Sequence, residues 1–121
     1  MNWQSLLIFF AVLMLLLVLR RAGLISTRAA REHLKRGAVV VDVRSQGEFA
    51  SGHLPKSINI PVDEIENVMP RRFANRSQVV LLHCQSGMRS GIAKRKLRAL
   101  GYADAFNLGS YSRAAQIVRG E

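Results

Sequence analysis

One cysteine, Cys84, is all the sequence has, so no internal disulfide can staple the fold, and the lone thiol is either a packing element or a chemical one. Metal ligation is poorly supplied as well: His33, His53 and His83 show no ligand spacing with Cys84 or with one another, and no metal site is expected. Acidic residues are scarce, 8 against 18 Lys+Arg, which leaves a formal net charge of +10 at pH 7. Such a surplus suits an anionic membrane surface, small anionic substrates or nucleic acid. Nucleic acid is set aside because the few aromatics, 7% of residues, do not interleave with the basic ones as a base-stacking platform requires, and no recognition motif accompanies the charge. Internal repeats and low-complexity segments are missing too. The 121 residues therefore leave room for one small domain and an appendage.

No charged residue precedes Arg20, and the stretch before it is what the composition has in excess. Leu6 to Leu19 is an unbroken apolar run, and from Trp3 onward only Gln4 and Ser5 are polar. At about 1.5 Å per residue, residues 3–19 reach near 25 Å, the short end of a bilayer span, extendable by snorkelling of Arg20 and Arg21. A cleaved signal peptide fits poorly, since there is no basic segment before the run and no small-residue cleavage site after it. A core helix without a polar face would need protein on all sides, which a chain this small cannot supply. A single-pass anchor is therefore expected over residues 1–25, linker included. Arg20, Arg21, Arg28, Arg31, Lys35 and Arg36 follow the span and none precede it, so the domain is expected on the cytoplasmic side of an inner (plasma) membrane. A reducing compartment also suits a thiol that must stay free.

The remainder, residues 26–121, reads as alternating strands and helices. Ser26 is a helix N-cap, with Gly37 as its stop. Ala38 to Val43 is apolar on both faces, the pattern of a buried parallel strand. Ser45 caps a short helix that stops at Gly52, and Ser57 to Ile60 is a short strand closed by Pro61. Asp63 is expected to cap a helix ended by Pro70. Val79 to His83 is the central strand, a helix is expected from Ser90 to Gly101, Ala103 to Leu108 is a further strand, and a terminal helix follows Gly109. The expected fold class is α/β with a mostly parallel sheet covered by helices on both faces.

Cys84 falls at the junction of the central strand and the basic helix. Loop amides from Gln85 to Arg89 can converge on one point, and the unpaired first-turn N–H groups of the helix add to the same anion site. Arg89 pushes the same way, and the thiolate so favoured is the nucleophilic form. The competing reading, from the loop alone, is a buried structural cysteine at a strand end.

Cys84-Gln85-Ser86-Gly87-Met88-Arg89-Ser90 resembles the active-site loop of the rhodanese (sulfurtransferase) family. The upstream pieces Val41-Asp42-Val43-Arg44, Glu48-Phe49, Gly52-His53-Leu54-Pro55 and Ser57-Ile58-Asn59-Ile60-Pro61 resemble that family's signature in the same order. The resemblance implies a rhodanese-like three-layer α/β fold and a Cys84 persulfide that carries a sulfane sulfur from a donor such as thiosulfate to a thiol or cyanide. It places Arg89 and Arg44 at the site mouth and Gln85, Ser86, Gly87 and Met88 around the donor, with His53 structural and no cofactor. Two other functions compete. Anion hydrolases of this fold need five residues between the cysteine and the arginine, whereas this loop has four, room for one sulfur rather than a tetrahedral oxyanion. A non-catalytic, membrane-tethered interaction module is the remaining alternative, although such members commonly lack the cysteine.

Overall fold

The computed structural model describes residues 2–120, with the side chains of residues 20–22 outside the description. Four strands form one sheet in the order β2-β1-β3-β4: β1 (Val39–Asp42), β2 (Ile58–Asn59), β3 (Val80–His83) and β4 (Ala105–Gly109), all parallel. β1 and β3 run side by side with Val39 opposite Val80 and Asp42 opposite His83. Their side chains sort by the two-residue period of a strand. Val41, Val43, Val80, Leu82 and Cys84 face one side, where they meet Ile65 and Met69 of α4 (Ile65–Arg72) and Ala93 and Leu97 of α5 (Met88–Ala99). Val40 and Leu81 face the other, against Ala30 of α2 (Thr27–Lys35) and Ala114, Ala115 and Ile117 of α6 (Tyr111–Arg119). Burial of each fully enclosed aliphatic side chain contributes about 1.5–3 kcal/mol, so the two apolar faces hold the three layers together.

Caps fix where the helices start. Ser26 accepts from the Ala29 N–H, Ser110 from Arg113, and Ser45 opens α3 (Gln46–Ser51) with a reciprocal box in which Glu48 reaches back to the Ser45 N–H. Three helix boundaries differ from expectation. Asp63 is no cap but lies inside a 3₁₀ turn, Val62–Glu64, that leads into α4, and Pro70 sits within α4 rather than ending it. A proline late in a short helix removes one backbone bond and leaves the remaining turn intact, so the chain leaves the helix only at Phe73. The third difference concerns α5, which begins at Met88, two residues before the expected Ser90, because Gly87 at φ +95° supplies the left-handed turn that launches it.

The N-terminal helix α1 spans Trp3–Ala22. Every described side chain on it is exposed, on all sides of the helix. The expected transmembrane helix is not shown: among the described residues no helix is long and apolar enough to cross a membrane. Its described apolar part, residues 3–19, measures about 25 Å against a hydrocarbon core of about 30 Å, and the snorkelling expected of Arg20 and Arg21 falls on side chains outside the description. The segment after it belongs to the sheet edge. Leu24 pairs in parallel with Asn107, the Ile25 N–H donates to the Asn107 carbonyl at 3.0 Å, and Lys94 Nζ donates to the Gly23 carbonyl at 2.9 Å.

Candidate active site

The carboxyl ends of β1 and β3 lie side by side, and in a parallel sheet that is the edge where loops can converge on a ligand. Cys84 follows directly from β3, and its side chain has 0% exposure. The loop after it curls around the sulfur: the Gly87 N–H donates to Sγ at 3.0 Å, and Ser90 Oγ lies 3.5 Å away. Burial pushes the Cys84 thiol up. The Ser90 hydroxyl and the backbone N–H groups of Ser90, Gly87 and Ser86 outweigh it, leaving the thiol below its ordinary value. Such donors stabilise a negative sulfur and serve equally a second sulfur bonded to it. The thiol is covered.

The loop is pinned from the far side by β4 and the start of α6. Ser86 bridges Ser110, the Tyr111 N–H donates to the Gln85 carbonyl at 3.2 Å, and Asn107 Nδ2 donates to the Gly87 carbonyl at 3.1 Å. A Cβ on Gly87 would stand 3.3 Å from the Gly109 backbone, so the close approach and the positive φ both demand glycine there. Asn107 Oδ1 also accepts from Ser90 Oγ at 2.7 Å and from the Gly109 N–H at 2.8 Å. One buried amide thus positions the hydroxyl beside the thiol and the carbonyl of the loop glycine.

Beside the loop is a buried charged cluster. Asp42, with 0% exposure, accepts from the Arg44 backbone N–H at 2.9 Å, from Nε at 3.0 Å and from Nη2 at 2.8 Å. Arg44 Nη2 also donates to the Gly52 carbonyl at 2.7 Å, and its guanidinium lies 4.7 Å from the centre of the Tyr111 ring. His83 is buried behind Cys84, its Nδ1 3.3 Å from the Cys84 carbonyl and its Nε2 3.8 Å from Asp42 Oδ2. The Nε2 atom has no hydrogen-bond partner among the described residues, and burial lowers the imidazole pKa below 6.5 despite the nearby carboxylate. Burial thus favours the neutral ring.

The residues singled out from the sequence are distributed as follows. Cys84 through Gly87 form the loop and Met88 and Arg89 the first turn of α5, with Gln85, Ser86 and Met88 exposed and Gly87 and Arg89 half-buried. Arg44 is turned inward onto Asp42, with 6% exposure. Arg89 is held by Glu48 at two points, Nη1 to Oε1 at 2.6 Å and Nη2 to Oε2 at 3.1 Å. Glu48 is in consequence lowered to about 2, by Arg89 first and the Ser45 N–H next. A cleft of about 410 Å³ opens beside Arg89, between the start of α3 and the Pro61–Glu64 turn. Another, of about 350 Å³, lies on the opposite side of the loop against Leu24, Asn107 and Ser110. His53 stacks on Phe49 with ring centres 3.7 Å apart and its Nδ1 is 2.8 Å from the Phe49 carbonyl. Among the described residues no group of three His, Cys, Asp or Glu could hold a metal ion.

Sequence reasoning missed three residues of this arrangement: Ser90 and Asn107 as partners around the thiol, and Glu48 as the partner of Arg89. The legible signals were a serine in the first turn after the loop and a lone amide in an otherwise apolar strand, where a polar side chain needs a hydrogen-bonded purpose.

Comparison with known proteins gives a consistent result. The family profile described as "Rhodanese-like domain" matches residues 26–115. The chain is 30% identical over 69 residues to the thiosulfate sulfurtransferase PspE of Escherichia coli, covering 57% of this chain and 66% of that protein. It is 35% identical over 82 residues to the human thiosulfate:glutathione sulfurtransferase, covering 58% of this chain and 71% of that protein. It spans 56% to 66% of the length of its Bacillus subtilis, Escherichia coli and Schizosaccharomyces pombe relatives. Among solved structures, the human single-domain sulfurtransferase TSTD1 superposes with a TM-score of 0.66 at 31% identity, covering 78% of this chain and 96% of that one.

Proposed function

The chain belongs to the family of rhodanese-like domains, and from that premise we propose that it is a rhodanese-type sulfurtransferase working through a Cys84 persulfide. The observation that carries the reading is the Gly87 N–H donating to Cys84 Sγ at 3.0 Å, within a loop whose amides and Ser90 hold the thiol below its ordinary pKa. The Cys84 thiolate attacks the outer sulfur of a sulfane donor, for which thiosulfate is the test case. The donor's S–S bond breaks, sulfite leaves with the electron pair, and the new persulfide sits among the amide donors. A thiol or cyanide then attacks the outer sulfur and returns Cys84 as thiolate. Intact-mass measurement tests this: the purified protein should gain one sulfur atom on exposure to a donor and lose it to a reductant. A mass unchanged by every donor would leave an interaction module as the better reading.

The domain is further proposed to be tethered by α1 to the inner membrane and to face the cytoplasm. Support comes from the apolar side chains exposed all round α1, a surface that water disfavours, and from the Arg and Lys residues that follow it. The full chain is expected to sediment with membranes, and residues 23–121 to remain soluble and folded. Recovery of the full chain in the soluble fraction would remove the tether from the account.

A further inference from the structure

The loop's one guanidinium, Arg89, would be the natural handle for a dianionic donor, yet it is engaged at two points by Glu48. The carboxylate of that pair is itself held in place. Ser45 fixes the carboxylate through its own N–H at 3.1 Å, and the capping box of α3 fixes Ser45. Asp63 and Glu64 line the cleft beside Arg89 as well, although the chain as a whole is strongly basic. Arg44 is buried and committed to Asp42, and Arg113, in the cleft on the other side, is held by the Leu108 and Ile25 carbonyls.

We propose that Glu48 sets the charge of the sulfur donor: by holding Arg89 it withholds the guanidinium from sulfur oxyanions, and the site prefers a persulfide of a small thiol over thiosulfate. The inference rests on the sulfurtransferase reading above and names its donor class. In the step it describes, the Cys84 thiolate attacks the outer sulfur of R–S–SH. The donor's S–S bond breaks, R–S⁻ departs with the electron pair, and Cys84–S–SH forms with the proton still on the outer sulfur. No net oxidation or reduction occurs, so no further reactant is needed.

Glu48 acts through Arg89 and is a positioning residue, so its test must read charge selection rather than folding. Glu48→Gln suits this because glutamine also closes a capping box. Cys84 is the only cysteine, so its alkylation by anionic iodoacetate and by neutral iodoacetamide can be followed by intact mass. The ratio of the two rates cancels any change in thiolate fraction. Glu48→Gln should raise the iodoacetate to iodoacetamide ratio roughly fivefold, the effect expected from one unscreened charge a few ångströms away. In an Arg89→Ala background the same substitution should raise the ratio by clearly less, since no guanidinium is then released. In turnover, the preference for persulfide over thiosulfate, as a ratio of kcat/KM values, should fall by a similar factor. An unchanged alkylation ratio, an equal rise without Arg89, or a thiol inert to both reagents overturns the inference. Absence of all turnover with the alkylation ratio still shifted would instead overturn the sulfurtransferase reading and leave the charge selection at the loop in place.

Discussion

Cys84→Ser protein will move no sulfur, from thiosulfate or from a persulfide, with a loss of at least roughly a thousandfold, in line with the removal of a nucleophile elsewhere. Serine differs by one atom and can still accept from the Gly87 N–H, so the loop keeps its shape. What disappears is the ionisable group that the surrounding donors act on, since a serine hydroxyl is not deprotonated at neutral pH and forms no S–S bond. A sulfur-transfer assay beside a thermal unfolding curve checks both halves. Undiminished transfer by a folded Cys84→Ser protein would sink the persulfide mechanism.

The second large effect is on stability and comes from Asp42. Its carboxylate is fully buried and accepts both the backbone and the side chain of Arg44. Asp42→Ala would leave a guanidinium of 6% exposure with the Gly52 carbonyl and the Tyr111 ring face as its remaining partners. Breaking a buried pair from one side costs about 3–5 kcal/mol, a large part of what a small domain has. Replacing both partners by apolar side chains is often close to neutral, so Asp42→Ala combined with Arg44→Met should recover most of the loss. Urea unfolding of the two variants against the parent measures this. A loss under about 1 kcal/mol for the single variant would mean that solvent reaches the pair after all.

These two residues also mark how far the sequence could be read. The strands at β1 and β3 were legible because parallel strands buried on both faces are apolar almost throughout, and the caps at Ser26 and Ser45 were legible because capping is local. Cys84 stood out through its position after such a strand. Glu48 and Arg89 were not legible as a pair, since they lie 41 residues apart and only the approach of α3 to the loop brings them together. Asn107 was hidden for the same reason: its partners Gly87 and Ser90 come from another element. Pro70 misled because the rule that proline ends helices weighs less near a helix's last turn, where little backbone bonding remains to be lost.

The pairing of Leu24 with Asn107 has a mechanical side. A pull on the N-terminal segment along the sheet edge meets Lys94 on the Gly23 carbonyl, then the Ile25 to Asn107 hydrogen bond and Arg113 Nη2 on the Ile25 carbonyl at 2.6 Å. The pull then reaches Asn107, whose side chain grips Gly87 and Ser90 around the thiol. Tension at the head of the chain and the shape of the sulfur cradle therefore share one short line of force.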